Sequence, residues 1–435
     1  MELMVFKRSL LAASVAATLF TAGAAHATNG YFSHGFGVKS MGMAGAGVAL
    51  PQSAMSMATN PAGIADVGTR FDFDVSWFSP KRGYDATVMG NHISADSGSN
   101  NFYIPELAFT YALDSSNTVG IAMYGNGGLN TDYSGTAASL FSTQPYGTFY
   151  SPLAPPGYTG GPTGVDLQQL FITPTYAHTF MDGKLSVGAS LIFAHQKFRA
   201  KGLGAFAGMS SSPSNVTSNE YAKSNGWGGK IGVLWHATDV VSLGASYQSK
   251  VHMGKFDKYS GLFAQGGKFD IPSTWTVGGA FRVAPDWTLT TDFERINYSE
   301  VKAISNPSTN QAPLGSDNGP GFGWKSINIV KLGAQWQATP DLQVRFGYNH
   351  GQNPIEGRDV LFNTLAPGVM TSHYTAGFTY AVDKHQEISA AVMYAPKVSV
   401  TGTLYDTSSG TPVAYGTETI RMKEYEATVG YSYKF

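Results

Sequence analysis

The chain of 435 residues contains no cysteine. No disulfide staples it, and no thiolate is at hand as nucleophile or metal ligand, so stability must come from backbone pairing and packing. Charge is nearly as scarce. Asp, Glu, Lys and Arg make up 13% of the sequence, about half of the roughly 25% usual in soluble domains. With 28 basic and 29 acidic side chains the net charge is −1, which excludes the basic footprint of a nucleic-acid binder. Long apolar runs are also missing. Beyond residue 27 nothing approaches the roughly 18 consecutive apolar residues of a membrane-spanning helix. The histidines show no metal-ligand spacing. His178, His195, His236 and His350 lack the paired serine and orienting acid of a hydrolase. No metal, no cofactor and no enzymatic activity are expected.

What is present begins with MELMVFKRSLLAASVAATLFTAGAAHA. Lys7 and Arg8 form a positive start, Leu10 to Ala22 an apolar stretch, and Ala25-His26-Ala27 a small-residue cleavage pattern. Residues 1–27 therefore read as a secretory signal peptide. The exported remainder is rich in glycine (52 in the whole chain) and in aromatics, at 13%. Export, glycine, aromatics and sparse charge leave two classes, a secreted all-β protein or an outer-membrane β-barrel.

Alternation separates them. In KEYEATVGYSYKF, Lys423 to Phe435, the odd positions are Tyr425, Ala427, Val429, Tyr431, Tyr433 and Phe435. The even ones include Glu424, Glu426, Thr428, Gly430 and Ser432. Strand geometry puts these sets on opposite faces. The same pattern recurs at Phe71–Trp77, Leu185–Phe193, Val241–Tyr247, Trp287–Phe293 and Leu342–Tyr348. The second face is mostly Gly, Ser, Thr and Ala, which suits a lumen, while the apolar face suits lipid. About fourteen segments are expected, near 70–79, 101–112, 118–126, 167–179, 184–199, 221–236, 240–254, 268–283, 286–298, 323–337, 341–350, 372–382, 386–396 and 420–435. Short turns such as Ala284-Pro285 and Thr339-Pro340 alternate with long Ser-, Gly- and Pro-rich loops, the layout of an outer-membrane barrel. Phe435, with aromatics two and four places before it, fits the C-terminal signal read by the barrel assembly machinery. The fold expected is an all-β, transmembrane antiparallel barrel in the outer membrane of a Gram-negative bacterium, working as a monomer.

Residues 28–69 precede the barrel proper (70–435). They are small, apolar and nearly uncharged, with Lys39 the one charge between Gly30 and Gly63. About 40 residues are too few for an independent core, so the segment is expected as a hatch folded into the lumen. Small residues at Gly42, Ala44, Gly45, Ala46 and Gly47, then Asn60-Pro61-Ala62, then a barrel strand, form an ordered pattern. Further pieces are Ile104-Pro105-Glu106, the run from Tyr124 to Tyr133, Ile271 to Trp275 and Gly323-Trp324-Lys325. In that order they resemble the FadL/TodX family of outer-membrane transporters for hydrophobic compounds.

The resemblance implies a fourteen-stranded barrel with an N-terminal hatch and an inward kink in the third strand that opens a lateral gap. It places Asn60, Pro61 and Ala62 opposite Tyr124, Gly125, Asn126 and Gly127, as a gate. Gly125 and Gly127 weaken a regular ladder there. An external capture groove is expected from Phe141, Phe149, Tyr150 and Leu153, with Phe206 and Met209 as its other wall. Lys325 and Lys331 are expected to face the lumen near a ligand's polar end, with His195 a further candidate; Glu106, Asp292 and Glu294 are possible partners for lumen charges. Lys197 has lipid-side parity and is expected to meet lipopolysaccharide. The function implied is passive, ligand-gated uptake of hydrophobic compounds, long-chain fatty acids first. Aromatic hydrocarbon uptake on the same fold and a general porin are the alternatives.

Overall fold

The computed structural model describes residues 29–88, 90–133, 162–406 and 413–435. Residues 1–27, expected as a signal peptide, lie outside the described residues, as do Phe141, Phe149, Tyr150 and Leu153.

The alternating segments form fourteen wall strands. In chain order these are β1 (Arg70–Val88), β2 (Phe102–Ala112), β3 (Asn117–Asp132), β4 (Gly164–Phe180) and β5 (Leu185–Lys201). Then come β6 (Ala222–His236), β7 (Val241–Gln248), β8 (Thr274–Ala284), β9 (Trp287–Ile296) and β10 (Ile327–Thr339). The last are β11 (Leu342–Gly351), β12 (Ser372–Ala381), β13 (Gln386–Asp406) and β14 (Val413–Lys434). Each pairs antiparallel with the next, and β14 closes on β1 from Arg70↔Lys434 to Val88↔Gly416. Closure satisfies backbone groups that lipid cannot. Two short strands, Asn91–Asp96 and His252–Met253, hang on β1 and β6 outside the cycle. Short turns gather at one end and long loops at the other, the periplasmic and external ends of such a barrel.

The outer face is apolar. Trp77, Tyr103, Ile121, Leu191, Trp227, Ile231, Phe346, Val392 and Val429 are all exposed there. β1, β13 and β14 run further up than the alternation suggested. Their upper ends stand above the lipid-facing band, where no apolar face is required and the hydrophobic alternation fades.

The lumen is filled from within by residues 29–66, which include α1 (Val38–Met41), α2 (Ser56–Thr59) and a 3₁₀ turn, Pro61–Asp66. The small inward face of the wall is what lets this inner segment approach. A Cβ on Gly347 would stand 2.2 Å from the Met43 carbonyl carbon, one on Gly244 2.3 Å from the Val48 oxygen, and one on Gly188 2.4 Å from the Ala62 nitrogen. Inward carboxylates then take up its free amides. Asp292 accepts from the Gly47 and Val48 N–H groups at 2.8 and 3.0 Å. Asp72 accepts from Ala54, and Glu106 from Gly37, both at 2.7 Å. At the periplasmic rim Lys39 reaches Glu387 at 2.5 Å, beside Arg70 and Lys434. Burial, with Arg70 adding to it, pulls the Lys39 ammonium down to about 8 against the opposing pull of Glu387.

Candidate functional site: an external pocket, a lumen cavity and a gap in the wall

At the external end, loops from distant parts of the chain meet in an apolar pocket. Phe198 lies near the top of β5, and Leu203 and Phe206 lie in the loop after it. Leu262 and Phe263 come from the loop after β7, Leu314 and Phe322 from that after β9, and Phe362 and Leu365 from that after β11. The pocket holds about 480 Å³ of atom-free space, part of it open to solvent, and no charged side chain lines it. Phe198 packs edge-on against Phe263 at 4.7 Å, and Phe206 against Phe362 at 5.5 Å, geometry that aromatic pairs favour. Phe206 was expected in such a groove, and Met209 packs against the same apolar cluster. The residues missed are the other loop aromatics and leucines. They are far apart in sequence, and no local pattern joins them.

Below lies a polar cavity of about 540 Å³, between the inner segment and the wall, lined among others by Phe32, Phe36, Asn126, Lys230, Glu294 and Lys331. Lys331 faces inward as expected. It is spent, however, on Glu294 at 2.8 Å and on the His34 carbonyl at 3.0 Å. Lys230, which the sequence reading missed, donates to the Ala58 carbonyl. His34 stands 3.5 Å from Glu426, and His373 3.6 Å from Glu424.

Two expected lumen residues are elsewhere. Lys325 precedes β10, is 61% exposed and pairs with Glu356. Its ammonium holds the Glu356 carboxyl below the usual range. The strand starts at Ile327, so strand parity never reached Lys325. His195 shares the outward face with Leu191 and Phe193 and hydrogen-bonds Asn225 at 2.7 Å. The parity of β5 itself turns it away from the lumen.

The wall is incomplete between β2 and β3. β2 pairs with β1 from Phe102 to Thr110 but with β3 only from Leu107 to Ala112. β3 continues to Asp132 with β4 as its one wall-strand ladder, and a register shift between Gly125 and Gly127 leaves Asn126 as a bulge. No ladder joins Phe102–Glu106 to the upper part of β3. Pro105 carries no N–H and suits such an edge. The bent β3 edge is taken instead by the inner segment. Ser33 N donates to the Asn126 oxygen at 3.2 Å, and Gly128 N to the Tyr31 oxygen at 3.0 Å. Tyr124 is buried inward, 4.8 Å from the Phe36 ring.

So the kink faces Tyr31 to Phe36, not Asn60, Pro61 and Ala62. Asn60 caps the turn Pro61–Asp66 by accepting from Ala62 N at 3.1 Å. It donates to the Val48 and Val233 oxygens at 2.8 and 3.0 Å. Pro61 and Ala62 press on Gly188 of β5. Room for that turn exists where the wall has inward glycines; at the kink the edge is already paired.

Residues 15–435 match the family model described as outer membrane protein transport protein (OMPP1/FadL/TodX). The chain belongs to that family. The family is one of transport proteins of the outer membrane, so the chain sits there and its work is transport, not catalysis. A putative outer membrane protein of Neisseria meningitidis serogroup B is 23% identical over 247 residues, 48% of this chain and 51% of that one. The chain thus spans about half the length of this curated relative. Among solved structures it is similar to the Pseudomonas putida toluene transporter TodX, at 19% identity and a TM-score of 0.68, covering 93% and 99% of the two chains. The Ralstonia pickettii toluene transporter TbuX follows at 20% identity and 0.62, again covering 93% and 99%. A Pseudomonas aeruginosa FadL homologue stands at 15% and 0.66, covering 93% and 100%. At these identities the likeness to solved structures is one of fold.

Proposed function

We propose that this family member carries small, neutral hydrophobic compounds across the outer membrane by passive diffusion. The compound enters the external pocket, passes the inner segment, which acts as a hatch, and leaves sideways into the bilayer through the gap between β2 and β3. The observation that carries the choice of substrate is the uncharged lining of the pocket. Residues 134–161, between β3 and β4 in the sequence, include no Asp, Glu, Lys, Arg or His. A carboxylate buried in such surroundings needs a cationic partner. Lys325 and Lys331, on which a fatty-acid preference rested, already have carboxylate partners. Two similar structures are of toluene transporters, which supports the same choice. Passage requires the hatch to move, and a ligand promotes that only by binding the open form better.

The test is uptake by cells lacking their own transporter, given labelled toluene and labelled oleate in parallel. Toluene should enter, and Phe206→Asp, which puts a charge in the pocket, should cut its entry by about tenfold or more. Entry of oleate with no entry of toluene overturns the neutral-substrate reading. Entry of sugars in its place returns the protein to the porins.

A further inference from the structure

We propose that the outer face of the barrel binds the phosphorylated headgroup of an outer-leaflet lipid through Lys81 of β1, Lys397 of β13 and Lys423 of β14. Lys81 and Lys423 are direct cross-strand partners, and like charges set opposite one another destabilise a sheet unless something neutralises them. Lys397 joins them at the irregular stretch of β13 between Ala395 and Val398, against Met422 to Glu424 of β14. All three line one cleft with about 1120 Å³ of atom-free space, open to the outside, whose far wall includes Asp96, Ser97 and Asn100. The nearby acids do not serve them, because Arg421 takes both Asp85 and Asp96. Among the described residues none of the three lysines has an ion pair.

Height on the wall identifies the anion. Below the cleft the outer face turns aromatic, with Trp77, Tyr394 and Tyr425 exposed. Such rings mark the boundary of the hydrocarbon band. Lys81 lies four residues above Trp77 along β1, and Lys423 two residues above Tyr425 along β14. The positive charges therefore begin where acyl chains end and lipid phosphates lie. A phosphate dianion offsets the Lys81–Lys423 repulsion, and the aromatic and apolar surface beneath gives its acyl chains a bed. The pattern occurs again on the other side of the barrel. Lys197 of β5 is paired with Lys223 of β6, each four residues above a member of the Phe193–Trp227 ring pair, whose centroids are 4.8 Å apart.

The experiment is native mass spectrometry of the detergent-purified protein. The probes are bis-phosphorylated lipid A, the same lipid stripped of phosphate, and inorganic phosphate. The phosphorylated lipid should bind about tenfold tighter or more than the stripped one. The variant Lys81→Gln/Lys397→Gln/Lys423→Gln should lose one bound lipid, and adding Lys197→Gln and Lys223→Gln should remove the other. These side chains face outward, so the barrel's heat-modifiable migration, measured on each variant, should be unchanged. Equal binding of the two lipids, or an unchanged count in the triple variant, overturns the proposal. Displacement of the lipid by inorganic phosphate at equal concentration overturns the lipid as the source.

Discussion

Replacing Gly127 with valine tests whether the inner segment is held at the kink. A Cβ there would lie 2.0 Å from the Tyr31 oxygen, 3.0 Å from its carbonyl carbon and 3.2 Å from the Phe32 Cα. All three are backbone atoms, so no rotamer change relieves the clash. The segment must leave the β3 edge and give up the bonds Ser33 N to Asn126 O and Gly128 N to Tyr31 O. Two such bonds contribute about 1 kcal/mol each, and overpacking costs about 1–3 kcal/mol. A combined penalty of about 3 kcal/mol shifts the balance between docked and released segment by roughly two orders of magnitude. Planar-bilayer conductance should rise accordingly, and trypsin should cut faster after Lys39, which is buried in the docked form. The heat-modifiable migration of the barrel reports that the wall itself is intact. An intact wall with unchanged conductance and unchanged cleavage would refute the reasoning.

Lys331→Met strands Glu294 without its ammonium, and should lower barrel stability by about 3 kcal/mol in a denaturant melt; adding Glu294→Gln should restore part of the loss. Lys325→Ala should leave toluene uptake unchanged, since Lys325 is exposed and its partner Glu356 lies in the loop after β11. Lys39 titrates near 8 when docked against an ordinary value of 10.5, so the docked form binds fewer protons between those values. Docking should therefore strengthen as pH rises from about 8 to 10.5, with the full cost of the buried charge present below 8; collisional quenching of a fluorophore attached to a Ser40→Cys variant should fall over that range. Phe435 has a 70% exposed ring, so Phe435→Ala should change the folded barrel's stability by about 0.5 kcal/mol or less, while the amount assembled in the membrane, read by surface labelling, should drop.

The wall was legible because lipid imposes a rule on every second residue. Segments such as Leu185–Phe193 and Lys423–Phe435 carry that rule openly. Where lipid stops, so does the signal, and the upper reaches of β1, β13 and β14 escaped notice for that reason. The parity that located Lys331 holds only inside a strand, and Lys325 stands two residues before one. His195 obeys the rule and faces out. The external pocket was barely legible. Phe198 at the top of β5 meets Phe263, Phe322 and Phe362 from three different loops, and each alone reads as an ordinary aromatic. Tyr31 and Phe32 make the contact at the kink through their backbone, and neither carries a turn signal of the kind that Asn60-Pro61 does.

The seam between β1 and β14 runs from Arg70↔Lys434 to Val88↔Gly416 and has the longest register of β1. Its last partner is contributed by the final residues of the chain. The inner segment runs directly into β1, one of the two strands of that seam. The segment that fills the lumen therefore enters it beside the line along which the cylinder closes on itself. Two strands away from that seam stands the shortest join to β3, that of β2 from Leu107 to Ala112. A seam paired along the whole of β1 and a join of a few residues thus share a neighbourhood, and any opening of the wall between β2 and β3 is bordered by a strand, β2, anchored to the fully paired β1.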